Sequence, residues 1–213
     1  TNGTTLTAAN SGGGSGTAFG AVANNGNAVT IYSSDVAMFG ARSYKTTASA
    51  GGSTSMTILP PANTYCMNFQ GYFRTTAASA DEGIMFMAAD ITNGTGGAFS
   101  CTGGGTLTVG NLDTPTTFSQ AIPVGQWIRM DLSVIVGTTS SNGRVKAQLS
   151  YANSFTPFWS YDSGYTINTG TTPFTIASPL FAQGYADNIA WRFNVSDFIP
   201  PESSSPSIAW FVA

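Results

Sequence analysis

Histidine is absent from this 213-residue chain, and charged residues make up only 8% of it. Without histidine, the Ser/His/Asp and Cys/His nucleophile arrangements and the common Cys/His zinc sites cannot be built. Typical soluble domains carry roughly 25% charged residues, so this surface must consist mainly of threonine, serine, asparagine and glycine. Such a neutral surface favours an extracellular protein or a member of an assembly, because neighbours rather than charge repulsion then control association.

Clusters of basic residues and long apolar runs are also missing. Seven lysines and arginines stand against ten acidic residues, and the net charge of −3 argues against direct nucleic-acid binding. No apolar run approaches the roughly 20 residues of a membrane-spanning helix.

Cysteine occurs twice, at Cys66 and Cys101. This count fits one disulfide or two buried thiols about equally well. Because an antiparallel sandwich can bring the two positions together, we predict a disulfide between them, which a Cα separation above about 7 Å would exclude.

Alternation of apolar and polar residues is clearest in two neighbouring segments. Every second residue from Ile128 to Val136 is apolar, and most residues between them are polar. The same alternation returns from Arg144 to Tyr151, after a turn-rich stretch of Gly, Thr, Ser and Asn. The two runs predict a β-hairpin with one face on the core and the other in water.

Further strand signals occur along the rest of the chain, separated by clusters of Gly, Pro and Asn. They lie at residues 17–23, 28–32, 54–59, 65–74, 83–89, 106–109, 173–176 and 185–195. Capped helical periodicity is absent, so many short strands predict an all-β, antiparallel jelly-roll β-sandwich. No repeat or composition change divides residues 1–199, which are predicted to form a single domain. Residues 200–213 are predicted to be a Pro/Ser-rich linker and an apolar C-terminal strand.

Three segments resemble concanavalin A/laminin-G-like jelly rolls. Residues 16–59 begin with Gly-Thr-Ala-Phe and end near Ser-Met-Thr-Ile, residues 125–132 read Gly-Gln-Trp-Ile-Arg-Met-Asp-Leu, and residues 185–189 read Tyr-Ala-Asp-Asn-Ile. The first segment is similar to the opening of that superfamily's fold, the second to a strand that recurs in it, and the third to its closing strand. The resemblance implies a fold that occurs in virus and bacteriophage structural proteins, in secreted sugar-binding modules and in some polysaccharide lyases.

Residues for acid–base catalysis are scarce. Glycoside hydrolysis usually needs two carboxylates across the scissile bond, yet the glutamates are Glu82 and Glu202, and Glu202 lies in the predicted linker. Glu82 follows Asp81 directly before a strand, a position that favours capping a turn. Without histidine, a lyase would depend on a pair such as Tyr72 and Arg74. We therefore predict a non-enzyme and rank a polysaccharide lyase or glycosidase last.

A sugar-binding surface needs aromatic rings beside amide and guanidinium donors, because sugars present apolar CH faces edged with hydroxyl groups. Side chains of these types share one side of the predicted strand 65–74 and one side of the closing strand. The carbohydrate-binding residues predicted on this ground are Asn68, Gln70, Tyr72, Arg74 and Arg192. The solvated outer face of a sheet would show the same pattern, so both interpretations stay open.

Aromatic residues are concentrated between positions 155 and 165, where five occur in eleven residues. That density exceeds what a surface loop needs. The segment therefore either folds into the core or forms an exposed contact patch. In the second case, Trp159 and Tyr161 join the predicted carbohydrate-binding residues.

Two pairs of one aspartate and one asparagine, Asp90 with Asn93 and Asp187 with Asn188, have the oxygen ligands that calcium takes in jelly-roll loops. Asp and Asn also stabilise turns without any ion, and that interpretation is favoured here. We therefore predict no metal and no other cofactor.

An apolar segment near residue 213 indicates contact with a neighbouring subunit. Residues 208–212, Ile-Ala-Trp-Phe-Val, follow the linker sequence Pro-Pro-Glu-Ser-Ser-Ser-Pro. Monomers avoid exposing a strand edge with two large rings, and the bounding prolines favour an extended reach over a tight return. We predict that Trp210 and Phe211 contact a neighbouring subunit.

Low charge, the missing catalytic set and this apolar end lead to one first hypothesis. The chain is predicted to be a non-catalytic structural module of an exterior assembly, above all a virion coat, decoration or fibre protein. Its partners would be copies of itself or other virion proteins, at a virion surface or outside the cell. The alternative is a secreted carbohydrate-binding module that binds surface glycans.

Deleting residues 207–213 tests the assembly hypothesis. The truncated chain should remain folded, since the deleted segment follows a linker, but it should lose assembly because the two rings are gone. Light scattering and circular dichroism measure the two properties. Unfolding of the truncated chain, or normal assembly, would contradict the hypothesis.

Overall fold

The predicted hairpin is present. The structure is a computed structural model that describes residues 2–11, 18–48, 51–154 and 156–198. In it β10 (Ile128–Ile135) pairs antiparallel with β11 (Arg144–Tyr151), and Leu132 lies opposite Ala147. The alternate apolar residues of β10 are fully buried, as the sequence pattern predicts.

Two antiparallel sheets of seven strands pack face to face, which confirms the predicted all-β jelly-roll sandwich. The front sheet consists, in spatial order, of β12 (Trp159–Asp162), β11, β10, β5 (Cys66–Arg74), β14 (Gly184–Phe193), β3 (Ser43–Thr47) and β2 (Val29–Ser33). The back sheet consists of β1 (Ala21–Asn25), β4 (Ser53–Thr57), β13 (Ile176–Phe181), β6 (Gly83–Asp90), β7 (Thr95–Thr102), β8 (Thr106–Asn111) and β9 (Thr116–Ser119). A short 3-10 helix, Ala8–Asn10, precedes β1.

The core lies between the sheets, and aromatic rings cross it. Phe69 of the front sheet stacks on Phe86 of the back sheet with ring centroids 5.3 Å apart. Both side chains are fully buried, and the aliphatic residues of β10 pack in the same cluster. Stacked rings of this kind add to the free energy gained by burying their apolar surface.

The sequence pattern does not predict strand β7, because the glycines at positions 94, 96, 97 and 103–105 are typical of loops. The structure places Gly97 inside β7, where the sheets approach closely. A Cβ atom there would lie 2.7 Å from Val145 and 2.9 Å from Val134. The glycine is needed for packing across the core, and it does not end the strand. Strands β3, β9 and β12 were missed as well.

The outer face of the front sheet differs from the expectation of a solvated surface. In β5 and β10 nearly every residue is buried, including Asn68, Gln70, Asp131 and Ser133. Polar side chains on this face are covered by other parts of the chain, and the contacts are described below. The alternating pattern correctly predicts which residues point outward, but it cannot show what then covers them.

The predicted disulfide is wrong, because Cys66 and Cys101 are both free thiols. Cys101 points into the core from the back sheet. Cys66 points away from the core, on the outer face of the front sheet, where its Sγ donates to the carbonyl oxygen of Val195 at 2.9 Å. The backbone of the front sheet therefore separates the two sulfur atoms.

No helix among the described residues is long and apolar enough to cross a membrane. The predicted linker and C-terminal strand, residues 200–213, lie outside the described residues. The predicted subunit contacts, Trp210 and Phe211, lie outside them too.

Leu132→Ala tests the strand register. Leu132 is fully buried, so the cavity should lower the free energy of unfolding by about 2–5 kcal/mol. Ser133→Ala is the matched control on the opposite face; it removes one hydrogen bond, to the carbonyl of Ser196, and should cost about 1 kcal/mol. Urea denaturation measures both, and equal losses would contradict a register in which Leu132 faces the core.

Candidate functional site

Basic residues are concentrated on one surface of the molecule. Six of the seven lysines and arginines lie at outward positions of front-sheet strands, and we call this outer face of the front sheet the polar face. The six are Lys45, Arg74, Arg129, Arg144, Lys146 and Arg192. The seventh, Arg42, is exposed in the loop before β3. A chain with few charges has thus placed nearly all its cations on one sheet surface.

A buried polar network occupies the centre of the polar face. Arg129 Nε and Asp131 form an ion pair at 2.9 Å, with both side chains almost completely buried. Gln70 and Gln148 each donate to Asp131, at 3.2 and 2.8 Å, and Arg129 Nη2 donates to Ser150 at 3.3 Å. Burial raises the pKa of Asp131, against the opposing effects of Arg129 and the two glutamines. Such a pair is costly to desolvate and is weak evidence for stability.

The five predicted strand residues are brought together on this face. Asn68 lies opposite Arg192, and Tyr72 lies opposite Arg129 in the neighbouring strand. Asn68, Gln70 and Tyr72 are buried, whereas Arg74 and Arg192 are half-buried. Their shared location agrees with the alternation in the sequence, while their role in binding stays a prediction.

One cover of the polar face is the loop between β2 and β3. The ring of Phe39 packs edge-on against Tyr72, with centroids 5.0 Å apart. Asp187 fixes the loop, because its carboxylate accepts from the backbone N–H groups of Met38 and Phe39 at 2.8 and 3.1 Å.

A second cover is the segment 194–198, which leaves β14 and crosses the polar face. Asn68 Nδ2 donates to the carbonyl of Val195, and Ser133 Oγ donates to the carbonyl of Ser196 at 3.3 Å. Further along, Lys146 Nζ lies 5.1 Å from the ring centre of Phe198. The segment thus passes over β5, β10 and β11 in turn.

Asn194 directs this segment. Its φ of 55° is in the left-handed region, which asparagine tolerates better than most residues. The side chain accepts from the N–H of Tyr65 at 2.8 Å and donates to the carbonyl of Asn63 at 3.3 Å. The resulting turn places the Val195 carbonyl against Cys66, and burial raises the pKa of the Cys66 thiol to about 11.

One end of the polar face opens into a cleft of about 290 Å³. Its lining includes Lys45, Tyr185, Glu82 and Gln183, together with the threonines at positions 46, 47 and 76. Lys45 Nζ lies 5.5 Å from the centre of the Tyr185 ring and 2.6 Å from Asp35. This hydrogen bond raises the pKa of Lys45, so the amine remains charged.

Glu82 is buried and belongs to the wall of this cleft. Its carboxylate accepts from the backbone N–H and the hydroxyl of Thr76. These bonds hold the loop between β5 and β6, in agreement with the predicted turn-capping role. Arg74 approaches the same end of the face, since it lies opposite Tyr185.

Trp159 and Tyr161, predicted as part of either a core segment or an exposed contact patch, do not lie on the polar face. They lie opposite Leu149 and Ala147, which face the core. Trp159 stacks on Phe99 of the back sheet at 5.1 Å. The two rings close the edge between the sheets, so this part of the aromatic segment is core packing, the first alternative from the sequence. Phe155 lies outside the described residues.

The two Asp/Asn pairs considered as calcium candidates form turns. Asp90 accepts from Thr172 at 2.5 Å and from Asn93 at 2.6 Å, and these bonds lower its pKa. Asp187 holds the Phe39 loop, as described above. Within the described ranges, no three His, Cys, Asp or Glu side chains are grouped closely enough to hold a metal ion.

Sequence reasoning missed Lys45, Gln183, Tyr185 and the network around Asp131 as candidate residues. Arg129 and Asp131 carried a usable signal, because two opposite charges two residues apart alternate with buried aliphatic residues. The residues that line the cleft show no such pattern in the sequence. Strand β3 was not predicted, and the other lining residues come from distant parts of the chain.

No family model and no curated protein matches the chain. Solved structures do match. A protein of unknown function from Shewanella oneidensis MR-1 is 15% identical with a TM-score of 0.51, covering 81% of this chain and 77% of that one. An alginate lyase from Aplysia kurodai is 12% identical, TM-score 0.44, over 87% and 98% of the two chains. Lectin II from Ulex europaeus is 10% identical, TM-score 0.42, over 79% and 87%.

At these identities the likeness concerns the fold alone, an antiparallel β-sandwich.

Asn194→Ala tests whether the turn holds the covering segment on the polar face. Alanine removes two side-chain hydrogen bonds and disfavours a positive φ, so Cys66 should react about tenfold faster with a thiol reagent. Peptide mapping by mass spectrometry distinguishes Cys66 from Cys101, which should stay protected in the core. Ser196→Ala is the control, because the residue's contact with Ser133 uses its backbone carbonyl. An unchanged rate at Cys66 would contradict this role of Asn194.

Proposed function

We propose that this chain is a carbohydrate-binding module whose glycan site is the cleft at the open end of the polar face. The supporting observation is that Tyr185, Lys45, Glu82 and Gln183 line one cleft with three threonines. A sugar ring needs an apolar platform for its CH face and charged or amide groups for its hydroxyls. The cleft offers both within a volume of the size that small ligands occupy.

The donors and acceptors in the cleft are already oriented. Thr76 fixes the Glu82 carboxylate, and Asp35 fixes the ammonium group of Lys45, which lies over Tyr185. Groups held in place before binding lose less conformational entropy when a ligand arrives. The proposal includes an extracellular place of action, which the low charge of the chain favours.

The assembly hypothesis stays a prediction, because residues 208–212 lie outside the described residues. The same holds for the expectation that the chain is not an enzyme. Tyr72 and Arg74, the lyase pair considered from the sequence, share the polar face, but Tyr72 is buried beneath Phe39.

Tyr185→Ala tests the proposed site. Loss of the ring platform should weaken binding of the best glycan in a broad array at least about tenfold, a change of about 1.4 kcal/mol. Titration calorimetry measures the affinity, and a melting curve verifies the fold.

Tyr65→Ala is the matched control, because Tyr65 is an exposed tyrosine that does not line the cleft. It should leave the affinity unchanged. The proposal fails if no glycan binds, or if Tyr185→Ala and Tyr65→Ala bind equally well.

A further inference from the structure

Two arginines on the polar face have donors without acceptors. Arg129 is 2% exposed, and its Nη1 has no hydrogen-bond partner among the described residues, although its Nε and Nη2 are both bonded. Arg74 Nε is also a buried nitrogen without a partner in that part of the chain. Buried polar groups are normally hydrogen-bonded, so each exception calls for an explanation.

The two guanidinium groups flank one residue. Arg129 lies opposite Tyr72 in the neighbouring strand, and Arg74 lies two residues beyond Tyr72 on the same face. The position next to Arg74 across the sheet is Tyr185, at the mouth of the cleft. The arginines therefore continue the cleft inward along the polar face.

Charge distinguishes Arg74 from most other cations of this face. Lys45, Arg129 and Arg144 each form an ion pair with an aspartate. Arg74 forms no ion pair with any described residue, and it is half-buried rather than fully solvated. A guanidinium group presents its N–H donors in a planar fork that matches the two oxygens of a carboxylate.

We propose that Arg74, with Arg129 behind it, binds the anionic group of an acidic sugar, so that the glycan ligand is a polyuronate rather than a neutral polysaccharide. This inference rests on the proposed function. Arg74 makes the first contact, because it lies opposite Tyr185, which lines the cleft. Arg129 lies further in, opposite Tyr72, and its low solvent access strengthens its attraction for an anion.

The test compares two probes with one carbon skeleton: oligogalacturonate and its fully methyl-esterified form. The wild-type chain should bind the charged probe at least about tenfold more tightly, and added salt should weaken that binding. Arg74→Gln should abolish the preference while leaving the affinity for the ester unchanged. Arg42→Gln, which alters the one basic residue away from the polar face, should change neither affinity.

Arg129→Gln should show the same selective loss, but it also leaves Asp131 without its ion-pair partner, so its melting temperature is measured in parallel. The Arg74 variant decides the question if the Arg129 variant does not fold. Equal binding of the two probes, or an unchanged preference in Arg74→Gln, overturns the inference and leaves the proposed function standing. Absence of binding to every glycan, charged or neutral, removes both.

Discussion

Packing between the two sheets is the constraint on which the rest of the structure depends. Phe69 stacks on Phe86 across the core, and the alternate residues of β10 fill the space around them. Because successive side chains of a strand point to opposite sides, each residue that must face the core places its neighbours outside. The core therefore determines the composition of the polar face, down to the positions of Arg129 and Asp131.

Burying the charged residues of the polar face costs hydration free energy, and hydrogen bonds from neighbouring side chains offset part of that cost. Arg129 and Asp131 lose their hydration, and two glutamines and a serine replace part of it. Phe39 and the segment 194–198 then complete the cover, anchored by Asp187 and Asn194. These covering segments are held by hydrogen bonds to backbone groups, which water can replace. They can therefore detach from the sheet more easily than side chains can leave the apolar core. A face built in this way combines fixed donors with restricted solvent access.

The proposed glycan site lies at the end of the polar face where Lys45 and Tyr185 line the cleft. The cleft takes Lys45 from β3, Tyr185 from β14 and Glu82 from the loop before β6, so three distant parts of the chain contribute to it. Arg74 links that cleft to the buried network. A glycan bound in the cleft would contact Lys45 and Tyr185 first and the guanidinium groups of Arg74 and Arg129 next. This order follows from the order of the strands, β3, β14, β5 and β10, across the sheet.

Local alternation in the sequence determined the all-β class, the β10–β11 hairpin and the common face of Asn68, Gln70, Tyr72 and Arg74, because a period of two depends on neighbouring residues alone. Tertiary structure decided what lies against those faces. Trp159 and Tyr161 pack against the core at the edge between the two sheets. Cys66 and Cys101 lie on opposite sides of the front sheet's backbone. Gly97 lies within a strand because two valines leave no room there for a side chain. Each of these outcomes depends on contacts between residues far apart in the chain, which no local pattern records.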